Sequence, residues 1–144
     1  MARVPRFSFF KAREGYGAIF IRVLLGAFIL WGVQDNILSF EQMEEFAHFL
    51  AARGVPLPLF AAVVSVYVQM ICGLSILFGA AVRATSILLI VNFVAALVIA
   101  HRGDSFRGMF PALMMIAAGL FFLFHGAGPL SVDAWLEKRK VTNA

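Results

Sequence analysis

Charge is scarce in this sequence. Of 144 residues only 12 are Lys or Arg and 8 are Asp or Glu, which together make 14%, against about 25% in a soluble domain. Cysteine is nearly absent: Cys72 stands alone, so a disulfide framework and any dithiol pair within the chain are excluded, and the residue reads as a small apolar side chain. There is no phosphate loop of the GxxxxGK[ST] type, no HExxH and no GxSxG. Histidine is limited to His48, His101 and His125. His101 and His125 fall at opposite faces of the membrane, which excludes a bis-histidine haem. His48 with His101 makes a poor metal set. No self-sufficient catalytic or metal constellation is present.

The sequence is instead rich in apolar residues, at 62% with a mean hydropathy of +0.90. A soluble globule of this length has too little polar surface to cover them, so the composition describes an integral membrane protein. A hydrocarbon layer of about 30 Å needs about 20 apolar helical residues. Four segments meet this, at 17–38, 57–81, 84–100 and 110–127. They do not alternate as barrel strands do. The expected fold is all-α, a four-transmembrane-helix bundle at 17–128, with a basic segment at 1–16 and a terminal segment at 129–144. Between the first two spans, Phe40, Met43, Phe46, Phe49 and Leu50 recur at helical spacing among Glu41, Glu44 and Glu45. Ser39 with Gln42 starts this segment and Gly54 with Pro56 ends it, which predicts a short interfacial helix.

Orientation follows from the basic residues. Arg3, Arg6, Lys11, Arg13, Arg83, Lys138, Arg139 and Lys140 fall on one side, and Arg53, Arg102 and Arg107 on the other. The bias places both termini in the cytoplasm. Basic residues that flank spans argue for anionic lipid and against nucleic acid as the partner. Trp31, Trp135, Tyr16 and Tyr67 include candidate interface anchors.

Polar groups at membrane depth are costly and mark sites. At about 1.5 Å per residue they form three layers. Arg22 and His125 make an inner layer, with Arg22 about 8 Å from the edge. Gln69 and Asn92 make a middle layer, and Gln34, Asp35 and His101 an outer one. Each has a bland reading. Arg22 can snorkel to phosphates. Gln69 and Asn92 can form an interhelical hydrogen bond, and His125 suits a helix C-terminus. Asp35 and His101 can simply face water. The faces Arg22/Gly26/Val33 and Ser65/Gln69/Cys72/Gly79 carry small residues beside polar ones, the pattern of helix contacts in lipid.

Four pieces in order carry a resemblance: Arg22-Val-Leu-Leu-Gly26 with Trp31-Gly32; Gly54-Val-Pro56-Leu-Pro58; Gly73-Leu-Ser-Ile-Leu-Phe-Gly79 with Arg83-Ala84; and Gly126-Ala-Gly128-Pro-Leu-Ser131-Val-Asp133. Over residues 19–136 the chain resembles the DoxX family of small four-helix membrane proteins. In the last piece Gly128-Pro129 stops the fourth span, Ser131 caps a new helix and Asp133 suits its positive N-terminus. The resemblance implies a bacterial inner-membrane location and, from some members, membrane redox work such as thiosulfate-to-quinone electron transfer. Many relatives carry a glutamate where this chain has Gln69, and a neutral amide cannot take up a proton.

The function expected from these readings is the membrane component of a redox assembly. Its bundle would hold a quinone or other apolar guest against Arg22, Gln69, Asn92 and His125, whose amides can donate to a quinone carbonyl. Redox partner proteins and self-association are the implied partners. Two rivals are a non-catalytic scaffold that anchors soluble proteins through its basic termini, and a small-solute carrier gated by the inner and outer layers.

Overall fold

The computed structural model describes residues 13–142. Arg3, Arg6 and Lys11 of the expected basic segment lie outside the described residues. A 3-10 turn at Glu14–Tyr16 runs into α1 (Gly17–Leu38); α2 (Phe40–Ala52), α3 (Pro58–Phe78), α4 (Val82–Ile99), α5 (Phe106–His125) and α6 (Val132–Thr142) follow. All described regular structure is helical. The four helices α1, α3, α4 and α5 are long and apolar enough to cross a membrane. Their outward side chains fit lipid and not water: Phe20 is 78% exposed and Phe124 79%.

α1 packs on α3 and α4 on α5, and the α3–α4 hairpin joins the two pairs. Alanine-sized space decides these crossings. A Cβ on Gly26 of α1 would come within 2.9 Å of Leu77 Cβ and 3.0 Å of Gly73 O on α3. A Cβ on Gly119 of α5 would meet Ile90 of α4 at 2.7 Å. Close backbone approach of this kind holds helices together where lipid removes the hydrophobic drive between them. One core cluster, with Leu25, Cys72, Ile76, Val82, Leu89 and Phe122, fills the end of the bundle at the α3–α4 turn. This is the near end. A second, with Val33, Met43, Ala47, Leu50, Ala62 and Val66, sits at the far end.

α2 follows the expected signals. Ser39 Oγ accepts from Gln42 N at 3.4 Å, and Gly54 ends the helix at φ +77°. The buried stripe is Met43, Ala47 and Leu50, which packs on α1 and α3, while Phe40 and Phe49 stay exposed. Two span ends differ from the expectation by three residues or more. The fourth span starts at Phe106 and not 110, because Ser105 adopts an extended N-cap conformation and Arg107 reads as loop only by its charge. The second ends at Phe78 and not 81, because Gly79 takes the left-handed conformation at φ +71° and Ala80 N turns back to Ser75 O.

The α1–α3 crossing gives a direct test. Gly26→Val is expected to destabilise the protein by about 1–3 kcal/mol through overpacking, read as a lowered unfolding temperature in detergent. Gly32→Val, on a face with nothing within 4 Å of its Cβ, is expected to leave it unchanged.

Candidate functional site: polar stations along the bundle

Arg22 enters the hydrocarbon depth because the rest of its helix is apolar and carries it inward. Its side chain turns into the protein and is buried, with 3% exposure. This decides against snorkelling. The guanidinium is held by backbone carbonyls alone. Nε donates to Ile76 O at 3.0 Å, Nη1 to Ala127 O at 2.8 Å, and Nη2 to Leu77 O at 3.2 Å and Leu130 O at 3.4 Å. Ile76 and Leu77 are in the last turn of α3, where carbonyls have no helical partner and the helix dipole is negative. Ala127 and Leu130 belong to the link between α5 and α6. One side chain on α1 thus ties together the ends of two other helices.

Asp133 completes this junction. Its carboxylate accepts from Ala81 N at 2.7 Å and Val82 N at 3.1 Å, the orphan donors at the start of α4. Its own N–H donates to Gly79 O at 2.9 Å. Ser131 Oγ caps α6 as expected, accepting from Ala134 N at 3.1 Å. Asp133 stands in the first turn of α6 as expected, and it also caps α4, fifty-odd residues upstream. Ala81 and Leu130 hold left-handed backbone at φ +52° and +55°, a conformation costing a non-glycine residue about 1–2 kcal/mol. Each is gripped at this junction, Ala81 through its N–H by Asp133 and Leu130 through its carbonyl by Arg22. Gly79 is indispensable there, since a Cβ would lie 2.5 Å from Ser131 Cβ.

At mid-depth Gln69 and Asn92 come together through a third residue. Gln69 Nε2 donates to Ser65 Oγ at 3.2 Å, and Ser65 Oγ–H donates to Asn92 Oδ1 at 3.0 Å. Ser65 was legible as the residue one turn before Gln69 on the same face. Nearer the turn the α3–α4 seam is sealed by Cys72, Ile76 and Leu89, all at 0% exposure. In that seam the Ser75 and Thr85 hydroxyls bond to each other, and Thr85 and Ser86 donate to Val82 O. At the trio the seam opens, and Ser65, Gln69 and Asn92 are each half-buried.

The other expected layers do not assemble. His125 is exposed, stacks on Phe121 at 4.9 Å between centroids, and faces a near-end cleft of about 650 Å³ with Arg83, Asp133, Glu137 and Lys140. Arg22 does not line that cleft. At the far end His101 Nδ1 lies 2.9 Å from the Asp104 carboxylate, a partner three residues away. Gln34 and Asp35 are exposed and have no side-chain partner among the described residues. Those residues also contain no group of three or more His, Cys, Asp or Glu placed to hold a metal.

A model of the DoxX family matches residues 17–102, which span the 3-10-to-α1 junction through the end of α4. The chain belongs to the DoxX family. No curated protein and no solved structure matches it. The family match takes in Arg22, Gln69 and Asn92 of this DoxX protein and stops before His125 and the Asp133 cap.

The junction generates a stability test. Arg22→Met is expected to cost this DoxX protein about 3 kcal/mol or more, since several buried acceptors lose their donor together. Arg22→Lys recovers little, because an ammonium lacks the planar fork. Asp133→Ala should cost about 1–2 kcal/mol as a lost cap. Thermal unfolding in detergent reads all three.

Proposed function

We propose that this DoxX-family protein is the membrane component of a quinone-linked redox assembly in a bacterial inner membrane, with both termini cytoplasmic. The observation that supports this reading is the half-buried trio of Ser65, Gln69 and Asn92 at mid-membrane. Asn92 Nδ2 has no partner among the described residues, and Gln69 Nε2 has one hydrogen engaged by Ser65 and one free. Spare amide donors at hydrocarbon depth are unusual, because nothing in lipid tails accepts from them. At similar height on the same two helices, Ile71, Val91 and Val94 present apolar surface.

A quinone head fits that donor set: its carbonyls accept from amide N–H groups, and its ring and isoprenoid tail lie on apolar side chains. When bound, the quinone supplies reversible two-electron chemistry. The chain's own residues bind and orient it. Ser65 holds both amides in place, since its hydroxyl accepts from Gln69 and donates to Asn92. Gln69 stands where many relatives carry a glutamate, so this site donates a hydrogen bond without taking up a proton. Electron exchange then belongs to partner proteins at the membrane surface.

Titration of the purified protein with a short-chain ubiquinone or menaquinone tests this. Gln69→Ala with Asn92→Ala is expected to weaken binding by about tenfold or more, the equivalent of one to two hydrogen bonds. Unchanged affinity in the doubly substituted protein, with an unfolding temperature matching the parent, rejects the site.

A further inference from the structure

At the far end α4 gives no buried side chain to the join between the two helix pairs. Every buried side chain of α4 lies in its first half, from Val82 to Leu89. Its second half runs out past Val94 and Val98, both exposed. α2 covers α1 and α3 there. Between the α2–α3 loop and the end of α4 lies a cleft of about 360 Å³. Arg53, Gly54, Val55 and Pro56 line one wall, and Val98, Ile99 and Arg102 the other.

The chemistry of this cleft is one-sided. Two arginines line it, one on each wall, and no acidic residue does. Neither has an ion-pair partner among the described residues, where the single ion pair is His101 with Asp104. That pair matters, because it occupies the carboxylate nearest to Arg102 in sequence. Arg53 lies over the Phe49 ring at 4.8 Å. The ring engages the face of the guanidinium and leaves its N–H edge free to donate. The remaining walls are aliphatic or prolyl. A planar fork of donors suits a phosphate oxygen pair, and an aliphatic wall suits an acyl chain. The cleft sits where a transmembrane helix ends, the depth of lipid headgroups.

We propose that this cleft binds one anionic phospholipid, its phosphodiester held between Arg53 and Arg102 and its acyl chain laid along Val98 and Ile99. The lipid bridges the α1–α2–α3 cluster to the α4–α5 pair where α4 buries no side chain of its own. This site is independent of the mid-membrane trio and of any quinone.

Native mass spectrometry of the detergent-purified protein, titrated with phosphatidylglycerol, tests the assignment. One phosphatidylglycerol is expected to bind more tightly than phosphatidylcholine, and to raise the unfolding temperature. Arg53→Gln and Arg102→Gln are each expected to weaken it by about fivefold. Arg107→Gln, which removes the same charge from the same side but outside the cleft, should leave it unchanged. Glycerol phosphate, which has the anion without the chains, should neither compete nor stabilise. Equal losses from Arg107→Gln, no loss from either cleft arginine, or competition by glycerol phosphate each overturn the proposal. The two cleft substitutions are surface changes, and the unfolding temperature of each variant without added lipid confirms its fold.

Discussion

A guanidinium in hydrocarbon must be given acceptors, and this constraint organises the near end of the molecule. Placing arginine at membrane depth costs about 2.5–3.5 kcal/mol even on scales that allow for relief. Arg22 meets that cost with four carbonyls drawn from the end of α3 and from the link after α5. Those carbonyls needed donors as much as the arginine needed acceptors. Asp133 does the converse for the start of α4, accepting from two N–H groups that no helix turn can satisfy. The cation and the anion do not approach within 4.0 Å. Each instead neutralises the opposite pole of the hairpin, the cation at a helix C-terminus and the anion at a helix N-terminus.

This solution makes the two ends of the bundle unequal. At the near end, side chains of α1 and α6 lock the α3–α4 turn and hold two left-handed non-glycine residues against their preference. At the far end, α2 tightens only the α1–α3 pair, and α4 carries no buried residue after Leu89. Local opening follows the density of buried contacts. Buried α4 side chains are concentrated at the near end, away from the polar trio and the arginine cleft.

Much of this fold is legible from hydropathy alone, because lipid forces each crossing segment to satisfy its backbone internally. The four spans, the Ser39 start and Gly54 stop of α2, and the Gly26 contact face all follow from local pattern. The site is less legible for a definite reason. Depth counting put Arg22 beside His125 and Gln69 beside Asn92, yet depth fixes height and not azimuth. Gln69 and Asn92 do share an azimuth, with Ser65 between them. Arg22 and His125 do not: Arg22 points to the α3 terminus and His125 to the near-end cleft. The acceptors of Arg22 are backbone carbonyls, which leave no mark in a sequence. Asp133 reaches a helix fifty residues away, and local spacing can only suggest the helix it begins.

The middle station is polar but uncharged, and magnitude explains why that suits a binding role. A carboxylate at the Gln69 position would have to ionise beside apolar residues or remain protonated, so its state would follow its surroundings. An amide has no such choice. Its hydrogen bonds are worth about 0.5–1.5 kcal/mol each, net, enough to orient a guest and weak enough to release it. Ser65 makes the arrangement directional, since one hydroxyl accepts from one amide and donates to the other. Asn92 Nδ2 and Gln69 Oε1 are left over, one a donor and one an acceptor. Lipid tails offer nothing to either group, so a guest of the proposed kind would meet the Asn92 donor with a carbonyl or a similar oxygen. In the proposed reading, that donor favours an apolar molecule with an embedded acceptor over a water-soluble solute.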